Sequence, residues 1–499
     1  MSRLPLTDEQ KAASTSRECR LFIEANPGSG KTTVAAERYG ILRFDGTHGE
    51  ARAITAVSFT RSATGELNRR IRGRWGTKAT GWPHGVITID TLVCDILHHL
   101  LRSGLIHWLG DHATLQVLDD WRGHSGYRWL LPGNNYRRAA TLDANARLTS
   151  IGRPVTAAGF GFGNKQTFHD HLALGRCTHD DVRAVLTAAL RKPDLKEAVT
   201  AFLASAVAHM VVDEVFDANG LDLALVTLAC DADICVTLVG DPWQALYGFR
   251  GAKPDLVPKV MTQQNFVLLP LSHSFRFQSE AMKALSEALR NSAPVTVAPD
   301  GDHDVALAST WGALWNGPDH ILPLSFGRTT NQNDAAAIVL LDHLVHSQFS
   351  ERAIFLPEAL ILLGLDLDTY RAQGPTLLGG VVETLASGTH DAAARALHQL
   401  RGAVKNLGAP RRPRAGSGDN EQRQVDRLDA LASRLRSNRP LVPGMTIHQA
   451  KGREWDKVGV RLSATEVGHL ADGLDPEVET NRALYVALTR ARYGVTALS

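Results

Sequence analysis

The stretch that most constrains this chain runs from Leu21 to Ile41. The apolar run Leu21-Phe22-Ile23 reads as a buried strand and Thr33 to Ile41 as a helix, and between them lies Ala25-Asn26-Pro27-Gly28-Ser29-Gly30-Lys31-Thr32. A strand, a glycine-bearing loop and a helix in that order are what a phosphate-binding loop requires. Small residues at Ala25, Gly28, Ser29 and Gly30 let successive backbone N–H groups turn inward around the β- and γ-phosphates, with the positive end of the helix behind them. Lys31 adds a full charge, the Thr32 hydroxyl is placed to bind a phosphate-bridging Mg²⁺, and Thr33 follows in the first helical turn. Ala25 stands where the first glycine of the usual pattern would be. A chance glycine-rich turn is the bland alternative, and the strand and helix on either side favour binding.

A chain of 499 residues is too long for one core, so two to four domains are expected. Its 44% hydrophobic and 21% charged residues are those of an ordinary globular protein, and a net charge of +2 neither requires nor excludes a polyanion partner. Two basic clusters stand out, Arg69, Arg70, Arg72, Arg74 and Lys78, and Arg411, Arg412 and Arg414; on charge alone each reads as a solvated face. The five cysteines form no CxxC pair, so neither a zinc site nor a disulfide framework is expected. With no signal-peptide core at the amino terminus and no apolar run near membrane-span length, the expectation is a soluble, cytoplasmic protein.

Leu6 to Gln10 opens a helix, with Thr7 and Gln10 in capping-box spacing; the Gln10 amide could also read both faces of an adenine edge. Ala53 to Thr60 is a second strand followed by a helix from Ser62, and Val86 to Leu92 repeats the pattern. From Leu97 to Ala204 the periodicity is mostly helical, with loops expected at Pro132-Gly133-Asn134-Asn135 and at Gly159-Phe160-Gly161-Phe162-Gly163. His209 to Glu214 is an apolar strand ending in adjacent carboxylates, of which Asp213 can hold Mg²⁺ and Glu214 can orient and deprotonate a water. Ile234 to Val239 is another strand run, and the Gly240 to Ala252 segment after it interleaves Trp243, Tyr247 and Phe249 with Gln244 and Arg250, which suits base stacking beside phosphate sensing. A second α/β domain is expected from Pro270-Leu271, with strands at Ile321 to Phe326 and Lys457 to Leu462. It is interrupted by a helical stretch near Asp334 to Pro440 that holds a mobile basic connection, Pro410 to Gly418.

In order and kind this set resembles the superfamily 1 helicases of the UvrD, Rep and PcrA type. Leu6 to Gln10, Ala25 to Thr32, Val57 to Ala63, Val212 to Asp217, Gly240 to Ala252, Leu271 to Arg276, Phe326 to Gln332, Thr446 to Asp456 and Asn481 to Arg492 are similar to that family's successive motifs. The resemblance implies an α/β fold of two RecA-like P-loop domains, parallel sheets flanked by helices, each with a short helical insertion. The first domain would be 1–96 and 205–265 with insertion 97–204; the second would be 266–333 and 441–499 with a reduced insertion at 334–440. It implies ATP and Mg²⁺ held by Gln10, the loop from Ala25 to Thr33, Asp213, Glu214 and Gln244 from one domain, and by Phe275, Arg276, Gly452, Glu454 and Arg490. Phe275 would stack on adenine, Glu454 would hold the ribose, and Arg276 and Arg490 would meet the γ-phosphate. Thr60, Tyr247, Phe249, Arg250, Thr446 and His448 would line single-stranded DNA.

Phe216 and Asp90 depart from the family pattern, where Gln and His are usual, and Asp90 is expected to turn into the protein. The chain ends at Ser499 soon after the last motif, and its compact form resembles the UvrD-like subunit of the Gabija antiviral system, GajB, more than the repair helicases. The implied function is a 3′ to 5′ single-stranded-DNA translocase or helicase working with a partner protein. A nucleic-acid-sensing ATPase that regulates a partner nuclease is the alternative; a small-molecule kinase would leave Arg276, Arg490 and the aromatic segment unexplained.

Overall fold

In a computed structural model, residues 5–46, 52–118, 128–129, 138–149, 153–154, 162–163, 165–248, 251–299 and 301–498 are described. The chain divides into two units, Met1–Phe275 and Arg276–Ser499.

The first unit opens with α1 (Asp8–Thr15), β1 (Arg20–Ala25), α2 (Lys31–Phe44), β2 (Ala53–Ser58), α3 (Arg61–Trp75), β3 (Gly85–Thr88) and α4 (Ile89–Arg102). An intervening stretch contributes short strands β4 (Gln116–Leu118), β5 (Arg128–Trp129), β6 (Arg138–Ala139), β7 (Arg153–Pro154), β8 (Phe162–Gly163) and β9 (Arg176–Thr178), and helices α5 (Lys165–Ala173), α6 (His179–Ala189) and α7 (Pro193–Ala206). The core then resumes with β10 (Val207–Asp213), α8 (Gly220–Asp231), β11 (Cys235–Gly240), α9 (Val257–Gln263) and β12 (Val267–Leu271). Six strands pair in the order β12-β1-β11-β10-β2-β3, all parallel, so every carboxyl end lies on one edge.

The strands read as unbroken apolar runs because both faces are covered. On β1, Leu21 and Ile23 face a cluster with Val34 and Tyr39 of α2 and Leu67 and Ile71 of α3. Phe22 faces the opposite cluster, built from α4, α6, α7 and α8.

Several expectations are corrected here. The run Val86 to Leu92 is strand only to Thr88, whose hydroxyl accepts from Thr91 N–H and starts α4. The stretch 97–204 mixes helices with short ladders, since Gln116–Leu118 pairs in parallel with Arg176–Thr178. Of the expected glycine loop, Phe162 and Gly163 pair with Arg128 and Trp129, while 159–161 and the 132–135 turn lie outside the described residues. The segment from 266, read as opening the second domain, stays in the first unit because β12 pairs with β1. Cys19 and Cys235, expected to be unpaired, form a disulfide with Cα atoms 4.4 Å apart. Parallel pairing of Arg20 with Val236 brings the two strand starts together, a juxtaposition that cysteine spacing cannot reveal.

The second unit has a five-stranded parallel sheet: β13 (Val305–Ala308), β14 (Ile321–Pro323), β15 (Val442–Thr446), β16 (Trp455–Arg461) and β17 (Ala491–Leu498), in the order β14-β15-β13-β16-β17. Helices occupy much of 332–435. The basic 410–418 segment, expected to be mobile, is tied down: Asn333 donates to the Arg414 carbonyl at 2.9 Å, Arg412 to the His398 carbonyl at 3.1 Å, and Gly416 N–H to Glu421 at 2.7 Å. Two α/β units with parallel sheets flanked by helices are the architecture of RecA-like helicase domains. No described helix is long and apolar enough to cross a membrane.

Asp90, expected to turn inward, accepts from Arg183 Nε at 2.8 Å, and Arg183 Nη1 donates at 2.8 Å to Asp222, whose side chain is 3% exposed. Arg183 thereby ties α6 to α4 and α8. Replacing it by Leu strands the buried Asp222 carboxylate, so Arg183→Leu should lower unfolding free energy by about 3 kcal/mol in urea denaturation.

Candidate functional site

The loop after β1 owes its shape to where its carbonyls point. The Asn26 carbonyl accepts from Ser29 N–H at 3.1 Å, Pro27 from the Ser274 hydroxyl at 2.6 Å, Gly28 from Phe275 N–H at 3.0 Å and Ser29 from the Gln10 amide at 2.9 Å. Pro27, Gly28 and Ser29 turn their carbonyls to other elements while the Asn26 carbonyl closes the turn on Ser29, which leaves the inner side of the loop to the remaining N–H groups and to the unsatisfied first turn of α2. Gly28 and Gly30 have φ of 73° and 84°, conformations that favour glycine. A Cβ at Gly30 would also stand 2.8 Å from Gln10 Nε2. The Ser29 hydroxyl is buried with no partner, and Ala25 is buried at the end of β1. The cradle fits a polyphosphate.

Lys31, first residue of α2, places Nζ 3.8 Å from Glu214 Oε1. Glu214 sits in left-handed backbone, φ 59°, just after β10, and its N–H donates to Asp213 Oδ1 at 3.1 Å. Burial first and the Glu214 charge second raise the Asp213 pKa to about 7, with Lys31 pulling against them. Thr32 and Asp213 offer two hard oxygens, a set that suits Mg²⁺, which keeps water and phosphate ligands besides. Gln244 is buried in the turn after β11, its amide donating to Asp241 Oδ2 at 2.8 Å.

Gln10 has less freedom than its residue type suggested. Its Oε1 accepts from Thr7 N–H and its Nε2 holds Ser29, so both ends of the amide are engaged within the protein. Phe275 is 38% exposed, with its backbone bonded to the loop and its ring edge-on to His273 at 4.7 Å. Sequence reasoning missed Glu9, which accepts from Ser272 N–H at 2.8 Å and from the Ser272 hydroxyl, binding α1 to the segment that carries Phe275. It also missed Arg70, which donates to the Thr33 hydroxyl at 2.6 Å and to Glu66 at 2.6 Å. The Glu66–Arg70 spacing of one helical turn was the available signal.

Thr60 caps α3 at the carboxyl end of β2, accepting from Ala63 N–H, and Tyr247 is half-buried past β11 on the same sheet edge. Phe249 and Arg250 lie outside the described residues. Phe216, at the family's Gln position, is core: it is 5% exposed, meets Phe22 edge-on at 6.1 Å, and would be 2.9 Å from a Cβ at Gly240.

In the second unit, Arg276 Nε donates to Glu454 Oε2 at 3.0 Å and Nη1 to the Thr489 carbonyl at 2.8 Å. Arg492 Nη2 donates to the other Glu454 oxygen at 2.7 Å. Glu454, expected at a ribose, is thus held between two guanidinium groups, and burial is outweighed by them, so its pKa is lowered. Arg490 is buried and donates to the carbonyls of Val486 and Arg453. Thr446 ends β15, half-buried His448 follows in a short helix, and Gly452 has φ of 85°.

Residues 6–119 and 164–264 match the UvrD/REP helicase N-terminal domain. ATP-dependent DNA helicase Rep of Escherichia coli K12 is 26% identical over 291 residues, 54% of this chain and 41% of Rep. DNA helicase II of Salmonella typhimurium LT2 is 25% identical over 304 residues, 57% of this chain and 40% of that protein. ATP-dependent DNA helicase UvrD2 of Mycobacterium tuberculosis H37Rv is 24% identical over 574 aligned positions, covering 98% of this chain and 77% of its own length. Over those residues the chain is similar to the UvrD/REP helicase N-terminal domain; it is distantly similar to these proteins and spans about two fifths of the length of Rep and DNA helicase II.

Two outcomes follow. Phe216→Gln should lose about 2–4 kcal/mol of stability, because an amide replaces a ring in a tight core site. Asp213 has a folded pKa of about 7, above its unfolded value, so its charge costs stability that is progressively incurred as pH rises from the ordinary carboxylate range through 7. Nucleotide-free Asp213→Asn should then be the more stable protein at pH 8, by about 1–3 kcal/mol, with the difference shrinking toward pH 5 in thermal unfolding.

Proposed function

We propose that this chain is an ATP-driven translocase or helicase on single-stranded DNA, moving 3′ to 5′. The observation that carries the reading is Lys31 facing Glu214 beside the buried Asp213, at the mouth of a loop whose Pro27, Gly28 and Ser29 carbonyls are held by other elements. Bound Mg²⁺ and ATP supply the phosphoryl group whose transfer to water drives movement. In this reading Lys31 holds the bridging oxygens, Thr32 and Asp213 hold the metal, Glu214 takes the water's proton, and Gln244 positions that water. The second unit contributes Arg276 and Arg490 to the charge that develops at the γ-phosphate, and Phe275 lies against the adenine. Thr60, Tyr247, Phe249, Arg250, Thr446 and His448 line the strand, with Gly452 and Glu454 at the nucleotide. The names of the matched relatives, all DNA helicases, support DNA as the substrate, and a cytoplasmic location goes with this reading.

A second reading is supported by Phe216. With a ring in the core where an amide would have linked nucleotide state to strand grip, hydrolysis can be loosely coupled to movement. The chain would then turn over ATP on strands or ends and control a partner nuclease, as in a compact antiviral complex of the Gabija kind.

Purified protein should show ATPase clearly stimulated by single-stranded DNA. Glu214→Gln should bind ATP normally and turn over at least about 100-fold more slowly, since the amide cannot accept a proton. Near-parental turnover in that variant defeats the assignment of the base. Processive unwinding of long duplexes by the chain alone selects the first reading, and DNA-stimulated ATPase without unwinding selects the second.

A further inference from the structure

Away from the nucleotide loop, the amino edge of the first sheet displays a ring that packing does not explain. Trp82 is 95% exposed, yet its loop is anchored on both sides. The Tyr39 hydroxyl donates to the buried Ala79 carbonyl at 3.2 Å, and Ile54 N–H donates to Nδ1 of buried His84 at 2.9 Å. Folding alone gains nothing from fixing a loop so as to hold an indole in water.

The segment that leads to it is mostly basic. Between Arg61 and His84 the exposed side chains include Arg61, Arg69, Arg72, Arg74 and Lys78, and the single acid is Glu66. Arg69 and Arg70 take both oxygens of Glu66, and Arg74 pairs with Glu37 at 2.6 Å. Among the described residues, Arg72 and Lys78 enter no ion pair. Arg61, Gly65, Arg69 and Arg72 are three or four apart, so they share one face of α3. That helix starts at Thr60 on the carboxyl edge and, at 15 residues, is about 22 Å long. A basic row thus leads from the expected strand track to the turn that carries Trp82. Its earlier reading as a plain solvated face leaves the indole unaccounted for.

We propose that Trp82 is a stacking platform for single-stranded nucleic acid that leaves the track at Thr60 and follows the basic row of α3. A base needs only an aromatic face, and guanidinium groups read only phosphate, so the contact would tolerate any sequence. An acidic protein would satisfy the charges. A protein using Trp82 as an anchor would however need neighbours that seal the ring from water, and exposed Thr77, Lys78 and Gly81 offer none. The proposal rests on the strand-binding reading above.

Binding of labelled oligothymidine of about 8 and about 30 nucleotides to the full chain tests it, the shorter one filling only the track. Trp82→Ala should weaken the long strand by roughly 5- to 100-fold and leave the short strand's affinity and ATPase stimulation unchanged. Arg72→Glu with Lys78→Glu should lower the salt slope of long-strand binding by at least about 1. Equal losses at both lengths would place Trp82 in the fold or the track and overturn the proposal. No loss at either length would overturn it too, leaving the patch to an acidic protein. If the short strand neither binds nor stimulates the parent protein, the track reading fails; Trp82-dependent binding of the long strand would still uphold the platform.

Discussion

The first unit depends on three consecutive backbone carbonyls, Pro27 to Ser29, each held by another element. Only glycine adopts the required backbone easily at Gly28 and Gly30, and only then can the remaining N–H groups converge on an anion. The partners that hold those carbonyls are Gln10 from α1 and Ser274 and Phe275 from beyond β12, sequence positions far apart. The parallel sheet makes this possible: β1 lies beside β12, so the chain leaving β12 emerges next to the loop leaving β1. The shape of the loop and the exposed Phe275 ring are consequences of one pairing.

What was legible in the sequence follows from the range of the physics involved. The loop, the strand runs and the carboxylate pair are local patterns, set by spacing and residue type over a dozen residues, and the structure brings Lys31, Asp213 and Glu214 together as their types implied. What escaped was long-range. The Cys19–Cys235 disulfide, the Glu9–Ser272 bond and the Arg492–Glu454 pair each join residues from 38 to 263 positions apart, and nothing in local composition marks them. Gln10 shows the intermediate case: the capping box was readable, and it is the tertiary bond to Ser29 that leaves the amide no free end.

In the second unit the same logic governs charge. Arg276 would be costly to bury alone, and desolvation does pull its pKa down, opposed by Glu454. Arg492 approaches the same carboxylate from the solvent side, and its pKa is raised by that bond. One acid between two arginines orients Arg276 through Glu454, because a carboxylate with both oxygens engaged has little rotational freedom left. A guanidinium held in this way is preorganised, so no reordering is needed before it meets an anion.

The two departures from the family pattern are answered in opposite ways. Phe216 abandons polarity: its ring fills the space between Phe22 and Gly240, and the site becomes part of the core. Asp90 stays polar and finds a partner within the protein, accepting from Arg183. A carboxylate next to a nucleic-acid backbone would repel it; bound to Arg183, which also pairs with Asp222, Asp90 becomes one arm of a bridge between α4, α6 and α8. Each substitution is stable because its neighbours supply what the new side chain needs, an apolar wall in one case and a shared cation in the other.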